Sequence, residues 1–153
     1  MEFVADNAAR HRALVDKYTH YVSEIKNPSE WVKLFFTPDA TFVIGNSPVS
    51  TGHAQIADGA ARIYAVATGV RHTVSSVHSV DENTCIAEGF VAYTINGKAL
   101  DPLPICSVFS LAPGSDLIRA YQAYINNTPM FIAAGFDVTA DGDGNATMVP
   151  RKR

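Results

Sequence analysis

The chain has 153 residues, 47% apolar and 18% charged, which suits one domain with a proper core and excludes a disordered chain. Its net charge of −3 leaves no electrostatic footprint for nucleic acid or anionic membrane. No apolar run reaches a membrane span and no signal peptide opens it; with only Cys85 and Cys106 to pair, a reducing, cytoplasmic setting is expected.

Residues 6–26 carry Leu14, Tyr18, Tyr21, Val22 and Ile25 at helical spacing, so a first helix buries a stripe that includes two phenols. Asn27-Pro28-Ser29-Glu30 is a helix start, with Asn27 as N-cap and Pro28 in the first turn. A short second helix through Trp31, Leu34 and Phe35 ends before Thr37-Pro38. Residues 40–44 read as a strand, Gly45-Asn46-Ser47-Pro48 as a loop, and 52–68 as a third helix with Ile56, Ala60, Ile63 and Tyr64 on one side.

After Gly69 the pattern changes to β. Runs 70–80, 84–95, 103–111 and 117–125 are separated by Asp81-Glu82-Asn83, Asn96-Gly97 and Pro113-Gly114. Asn-Gly between two such runs predicts a hairpin. Regular alternation in the last run sets Ile118, Ala120, Gln122, Tyr124 and Asn126 on one face, a polar row, and Leu117, Arg119, Tyr121, Ala123 and Ile125 on the other. Helices followed by an antiparallel meander predict a single α+β domain over 1–153, its helices packed on one face of a curved, mainly antiparallel sheet. Residues 137–153 read as a polar tail. Its Asp137, Asp141 and Asp143 lack the closing glutamate of a calcium loop, so no metal site is expected there.

This order of elements resembles the NTF2-like superfamily in its SnoaL-like branch of cyclases and isomerases, over roughly residues 8–133. The resemblance rests on Leu34-Phe35-Phe36-Thr37-Pro38-Asp39-Ala40-Thr41, on Gly52-His53-Ala54-Gln55-Ile56, on Arg71-His72-Thr73-Val74, on Asn96-Gly97-Lys98 and on the final Ile118-Arg119 to Tyr124-Ile125-Asn126. It implies a conical barrel with one deep, mostly apolar pocket, commonly built as a homodimer. The superfamily hosts enzymes of several classes and binders alike, so the fold alone leaves function open.

The departures narrow the chemistry. A match to ketosteroid isomerase puts its helix-borne tyrosine at Tyr21, but its aspartate base falls at Ile44 and its protonated aspartic acid at Cys106. The aspartate–arginine–aspartate set of limonene-epoxide hydrolase falls on Gly89, Val91 and Asn126, and only Asn46 matches that family's water-holding asparagine. The aspartate that commonly closes the last strand of SnoaL-like cyclases is Asn126, an amide that cannot serve as a base.

What remains for a pocket is His72 and Tyr21 as candidate catalytic groups, with Tyr18, Asn46, Cys106, Gln122, Tyr124 and Asn126 as candidate substrate-binding groups. His72 titrates nearest neutrality and matches a pocket histidine of scytalone dehydratase; otherwise it is a half-buried residue bonded to backbone. The phenols of Tyr18 and Tyr21 either meet a substrate oxygen or fill the core. His78 shares the face of His72 on a regular strand and turns out at a bulge, while His11, His20 and His53 read as surface residues. Two functions stay open: an enzyme without metal or organic cofactor that cyclises, isomerises or dehydrates an apolar oxygenated small molecule, of polyketide or terpenoid type, and a non-catalytic binding domain.

Overall fold

A polar-to-apolar switch every third or fourth residue, then every second, sets the order of elements in the computed structural model. It describes residues 2–24, 27–144 and 146–152; Ile25 and Lys26, expected to close the first helix, and Arg153 of the tail lie outside these. The elements are α1 (Glu2–Val22), α2 (Pro28–Phe35), β1 (Phe36–Ile44), β2 (Ser50–Thr51), α3 (Gly52–Val66), β3 (Ala67–Ser79), β4 (Thr84–Ile95), β5 (Lys98–Ala99), β6 (Leu103–Leu111), β7 (Ile118–Tyr124), α4 (Thr128–Ala133), β8 (Phe136–Ala140) and β9 (Ala146–Pro150). No described helix is long and apolar enough to cross a membrane.

Strands order as β2-β1-β7-β6-β4-β3, with β5 folded back on β4. All neighbours pair antiparallel except β1 and β7. The sheet is curved and stays open, an incomplete cone whose inner face is covered by helices. Asn27 caps α2 as its position requires, its side chain accepting the amides of Ser29 and Glu30. At the β4–β5 turn Asn96 and Gly97 take φ of 50° and 77°, the left-handed pair that an Asn-Gly hairpin needs.

The core forms where α1 and α2 cross the concave face. Tyr18 sits at its centre, its ring 5.2 Å from Phe109, 5.4 Å from Phe35 and 6.2 Å from Trp31. These rings, with Phe36 and Val15, are almost wholly buried. Truncating one of them to alanine removes about 3–5 kcal/mol.

Two bulges decide which side chains face this core. On β3 the pairs Val74↔Gly89 and Ser76↔Glu88 leave Ser75 as an extra residue. His78 therefore turns outward, where it meets Ser76 at 3.0 Å and Glu88 at 3.4 Å. On β7 the pairs Leu111↔Ile118 and Ser110↔Ala120 leave Arg119 extra. Ile118 and Tyr121 both point into the core as a result, followed by Ala123. The alternation read from the sequence holds from Ala120 onward, with Tyr121 and Ala123 inside and Ala120, Gln122 and Tyr124 outside; the correction is at Ile118, which the extra residue moves to the inner face and away from the polar row.

Two other expectations change. His11 is fully buried rather than on the surface, with Nδ1 2.7 Å from Ser79 Oγ and Nε2 3.1 Å from the Glu82 carbonyl. Beside it Arg10 donates to Asp116 at 2.6 Å and to the Ser115 carbonyl at 2.8 Å, so α1 is tied to both turns at one end of the sheet. The segment read as a polar tail forms the hairpin β8–β9, paired from Phe136↔Pro150 to Ala140↔Ala146 and packed against α4.

Candidate functional site

Between α1, α2, α3 and the inner sheet lies a cavity of about 60 Å³. Tyr18 and Val22 reach it from α1, Trp31 from α2, Ile63 and Tyr64 from α3, and His72, Tyr93, Ile105 and Tyr121 from the sheet. A smaller space of about 20 Å³ adjoins it behind Gly89 and shares Tyr18, His72, Ile105 and Tyr121. No aspartate, glutamate, lysine or arginine lines the main cavity, among the described residues. Its walls are hydrocarbon and aromatic with a few polar atoms, the ordinary make-up of a small-molecule site.

The Tyr64 phenol donates to the Val22 carbonyl and the Tyr93 phenol to Asn127 Oδ1, and the other polar atoms fall into two sets. The Tyr121 phenol is hydrogen-bonded to Ser107 Oγ at 2.9 Å, and the Tyr18 ring lies beside it with centroids 5.5 Å apart. Burial, the largest influence on each, holds the pKa of Tyr18 and Tyr121 above the ordinary phenol value, so both stay protonated and able to donate. The second set is His72 and Trp31. His72 Nδ1 and Trp31 Nε1 are buried and have no hydrogen-bond partner among the described residues. Burial lowers the His72 pKa to about 4, which leaves a neutral imidazole at physiological pH.

The candidates from the sequence divide three ways. His72 and Tyr18 share the cavity wall. Tyr21 instead packs its ring edge-on against Phe35, 5.5 Å away, half-buried and outside the cavity lining. Asn46 and Asn126 meet in a separate outer cleft with Ile44, Ile125, Val138 and Met148. Cys106, Gln122 and Tyr124 lie on the outer sheet face, where Cys106 pairs with Tyr124 on one side and Glu88 on the other. The Cys106 thiol is pushed up, first by desolvation and then by Glu88, so it is no activated nucleophile.

Sequence reasoning did not single out Trp31, Ser107, Tyr93 and Tyr121, which line the cavity and the space beside it. Tyr121 stood on the strand face opposite the polar row from which the candidates were taken. Trp31 is the chain's single tryptophan, three residues past a helix start, and that was the available signal; it is almost wholly buried. Among the described residues no three His, Cys, Asp or Glu side chains are gathered as a metal would need.

No family model and no curated protein matches the sequence. Solved structures do match in fold. A proposed polyketide cyclase from Xanthomonas campestris pv. campestris superposes with a TM-score of 0.66 at 20% identity, covering 84% of this chain and 98% of that one. An LEH-like epoxide hydrolase from M. tuberculosis gives 0.63 at 16% identity over 84% and 90%. Nuclear transport factor 2 from Cryptosporidium parvum gives 0.61 at 16% over 76% and 91%. Identities this low speak for the architecture, and the architecture agrees in each case: this chain has the NTF2-like fold.

Proposed function

We propose that the protein is a cofactor-independent enzyme that moves a proton on an apolar, oxygenated small molecule held in the inner cavity. Cyclisation, isomerisation and dehydration all contain such a step. The observation that carries the reading is His72: a neutral imidazole with an unpartnered buried nitrogen, in the same wall as two protonated phenols, Tyr18 and Tyr121. A proton leaving carbon beside a carbonyl goes to the imidazole, and the electron pair moves onto the carbonyl oxygen. Tyr18 and Tyr121 stand ready to donate hydrogen bonds to that oxygen. The enolate that develops next to His72 raises its basicity, offsetting the burial that lowers it in the free protein. Returning the proton to another carbon completes an isomerisation. That a similar fold is named a polyketide cyclase and another an epoxide hydrolase supports catalysis on a small organic substrate.

The absence of any carboxylate in the cavity lining favours a second reading, a non-catalytic ligand-binding domain. One experiment separates the two. A β,γ-unsaturated cyclic ketone is incubated with the protein, and conjugation is followed by ultraviolet absorbance. Isomerisation well above that in an equal concentration of imidazole, abolished by His72→Ala, supports the enzyme; a rate equal to the imidazole control supports the binder.

A further inference from the structure

The outer cleft, about 150 Å³ in volume, opens between the loop after β1, the start of α4 and the hairpin β8–β9. It shares Ile44 and Ile125 with the inner cavity, so the two spaces are neighbours. Two of its walls are fixed. The Gly45 amide donates to the Ala123 carbonyl at 2.7 Å, and a Cβ at residue 45 would stand 2.6 Å from the Ile125 carbonyl oxygen. The third wall, Val138 and Met148, belongs to the hairpin. Phe136 of that hairpin meets Phe131 edge-on at 6.5 Å, and the Arg151 amide donates to the Gly135 carbonyl at 2.9 Å.

The chemistry of the cleft is neutral and rich in donors. No ionisable group lines it among the described residues. Asn126 Oδ1 accepts the Thr128 amide at 3.0 Å, and Asn127 Oδ1 accepts the Tyr93 phenol at 3.3 Å. With both oxygens engaged, each side chain keeps its NH2 group to donate. A phosphate or carboxylate calls for arginine or lysine and finds neither. A carbonyl, ether or hydroxyl oxygen on an apolar frame matches both the amides and the Ile44, Ile125 and Met148 surface.

We propose that this cleft is a second compartment of the substrate site and that the substrate is a neutral, elongated molecule. The ring that carries its reacting carbonyl occupies the inner cavity, and a second oxygen at its far end lies against Asn126 and Asn127, with the β8–β9 hairpin as outer wall. This rests on the reading that the inner cavity binds substrate.

The test is an NMR titration of the full chain with ethylbenzene, 4-phenylbutan-2-one and 3-phenylpropanoate. Ethylbenzene is expected to perturb cavity residues alone. The ketone is expected to bind about five- to tenfold tighter, as one or two added neutral hydrogen bonds allow, and to shift the side-chain NH2 signals of Asn126 and Asn127. Asn126→Asp keeps an oxygen for the Thr128 amide but loses the donor; Val138→Trp fills the cleft. Either variant should erase the ketone's advantage and leave ethylbenzene affinity unchanged. A ketone no tighter than ethylbenzene, an advantage that survives both variants, or a carboxylate that binds as well as the ketone overturns the proposal alone. Failure of every probe, ethylbenzene included, overturns the inner-cavity reading with it.

Discussion

Gly89 and Thr73 touch through their backbones: a Cβ at residue 89 would stand 1.9 Å from the Thr73 carbonyl oxygen. The contact sits at the Ser75 bulge, on the strand pair that carries His72 opposite Val91. Gly89→Ala cannot be absorbed by a flexible side chain, because the atoms it meets are backbone. We expect a loss of about 2–4 kcal/mol in stability, read as a lower denaturation midpoint. If the variant keeps the wild-type midpoint, β3 and β4 do not approach each other in this way.

His72 makes stability depend on pH. The unfolded chain protonates a histidine near 6.5, whereas burial holds the folded pKa at about 4. Between those values the unfolded state binds a proton that the folded state refuses, so this contribution is full above pH 6.5 and is lost as pH falls towards 4. The shift corresponds to ~3 kcal/mol. His72→Gln does not titrate there, so the wild-type melting temperature should fall relative to that of His72→Gln from pH 6.5 to 4, and the difference should be flat above it. A difference that ignores pH would show that residue 72 titrates normally in the fold.

Activity should follow the same group. With His72 as proton acceptor, His72→Ala lowers kcat by on the order of 10²–10⁴ and leaves the fold intact. The kcat/KM profile should be level through neutrality and fall only as pH approaches the folded pKa of about 4. A fall centred near 6.5 would assign catalysis to a different group.

The phenols should separate by position. Tyr18→Phe and Tyr121→Phe remove donors from the cavity wall, and Tyr121→Phe also strands the buried Ser107 hydroxyl, worth about 1–3 kcal/mol of stability. Tyr21→Phe touches neither cavity nor network and should keep turnover within about twofold of wild type. Steady-state kinetics on the three variants checks this, and a dead Tyr21→Phe enzyme would move the acid to that phenol.

The outer sheet face should mediate homodimerisation. Tyr124 and Phe90 are 61% and 46% exposed on it, with Cys106, Val108 and Ile86 nearby in the ladder. Tyr124→Asp and Phe90→Asp together should convert a dimer to a monomer in light scattering at tens of micromolar. A wild-type monomer at that concentration would overturn the expectation.

Much of the fold was legible because it is written in local chemistry. Asn27-Pro28 starts a helix and Asn96-Gly97 turns a hairpin wherever they occur, and the structure places both as read. The candidate site was harder, since a strand's facing depends on every residue before it. One extra residue at Arg119 puts Ile118 on the inner face with Tyr121 and Ala123, so the polar row that Ile118 was read with, Gln122 and Tyr124, lies outside. Nothing in Ile118-Arg119-Ala120 marks a bulge; it comes from fitting β7 to β6 and β1 together. The β8–β9 hairpin did leave a signal, alternating residues on either side of Asp141-Gly142, but its apolar content is too low for a strand reading by itself. His11 was misplaced because its partners, Ser79 and Glu82, are remote in sequence.

The single tryptophan, Trp31, stands in the wall of the inner cavity, its ring 6.0 Å from Phe42 and 6.2 Å from Tyr18. Excitation of the tyrosines around it will therefore be funnelled to one emitter, and that emitter faces the space a ligand would fill. Its emission is a built-in optical gauge of cavity occupancy: blue-shifted while its surroundings are dry, quenched by a bound carbonyl, and readable in the unlabelled protein. A library of neutral ketones and alcohols can be ranked by this colour change before any turnover is known.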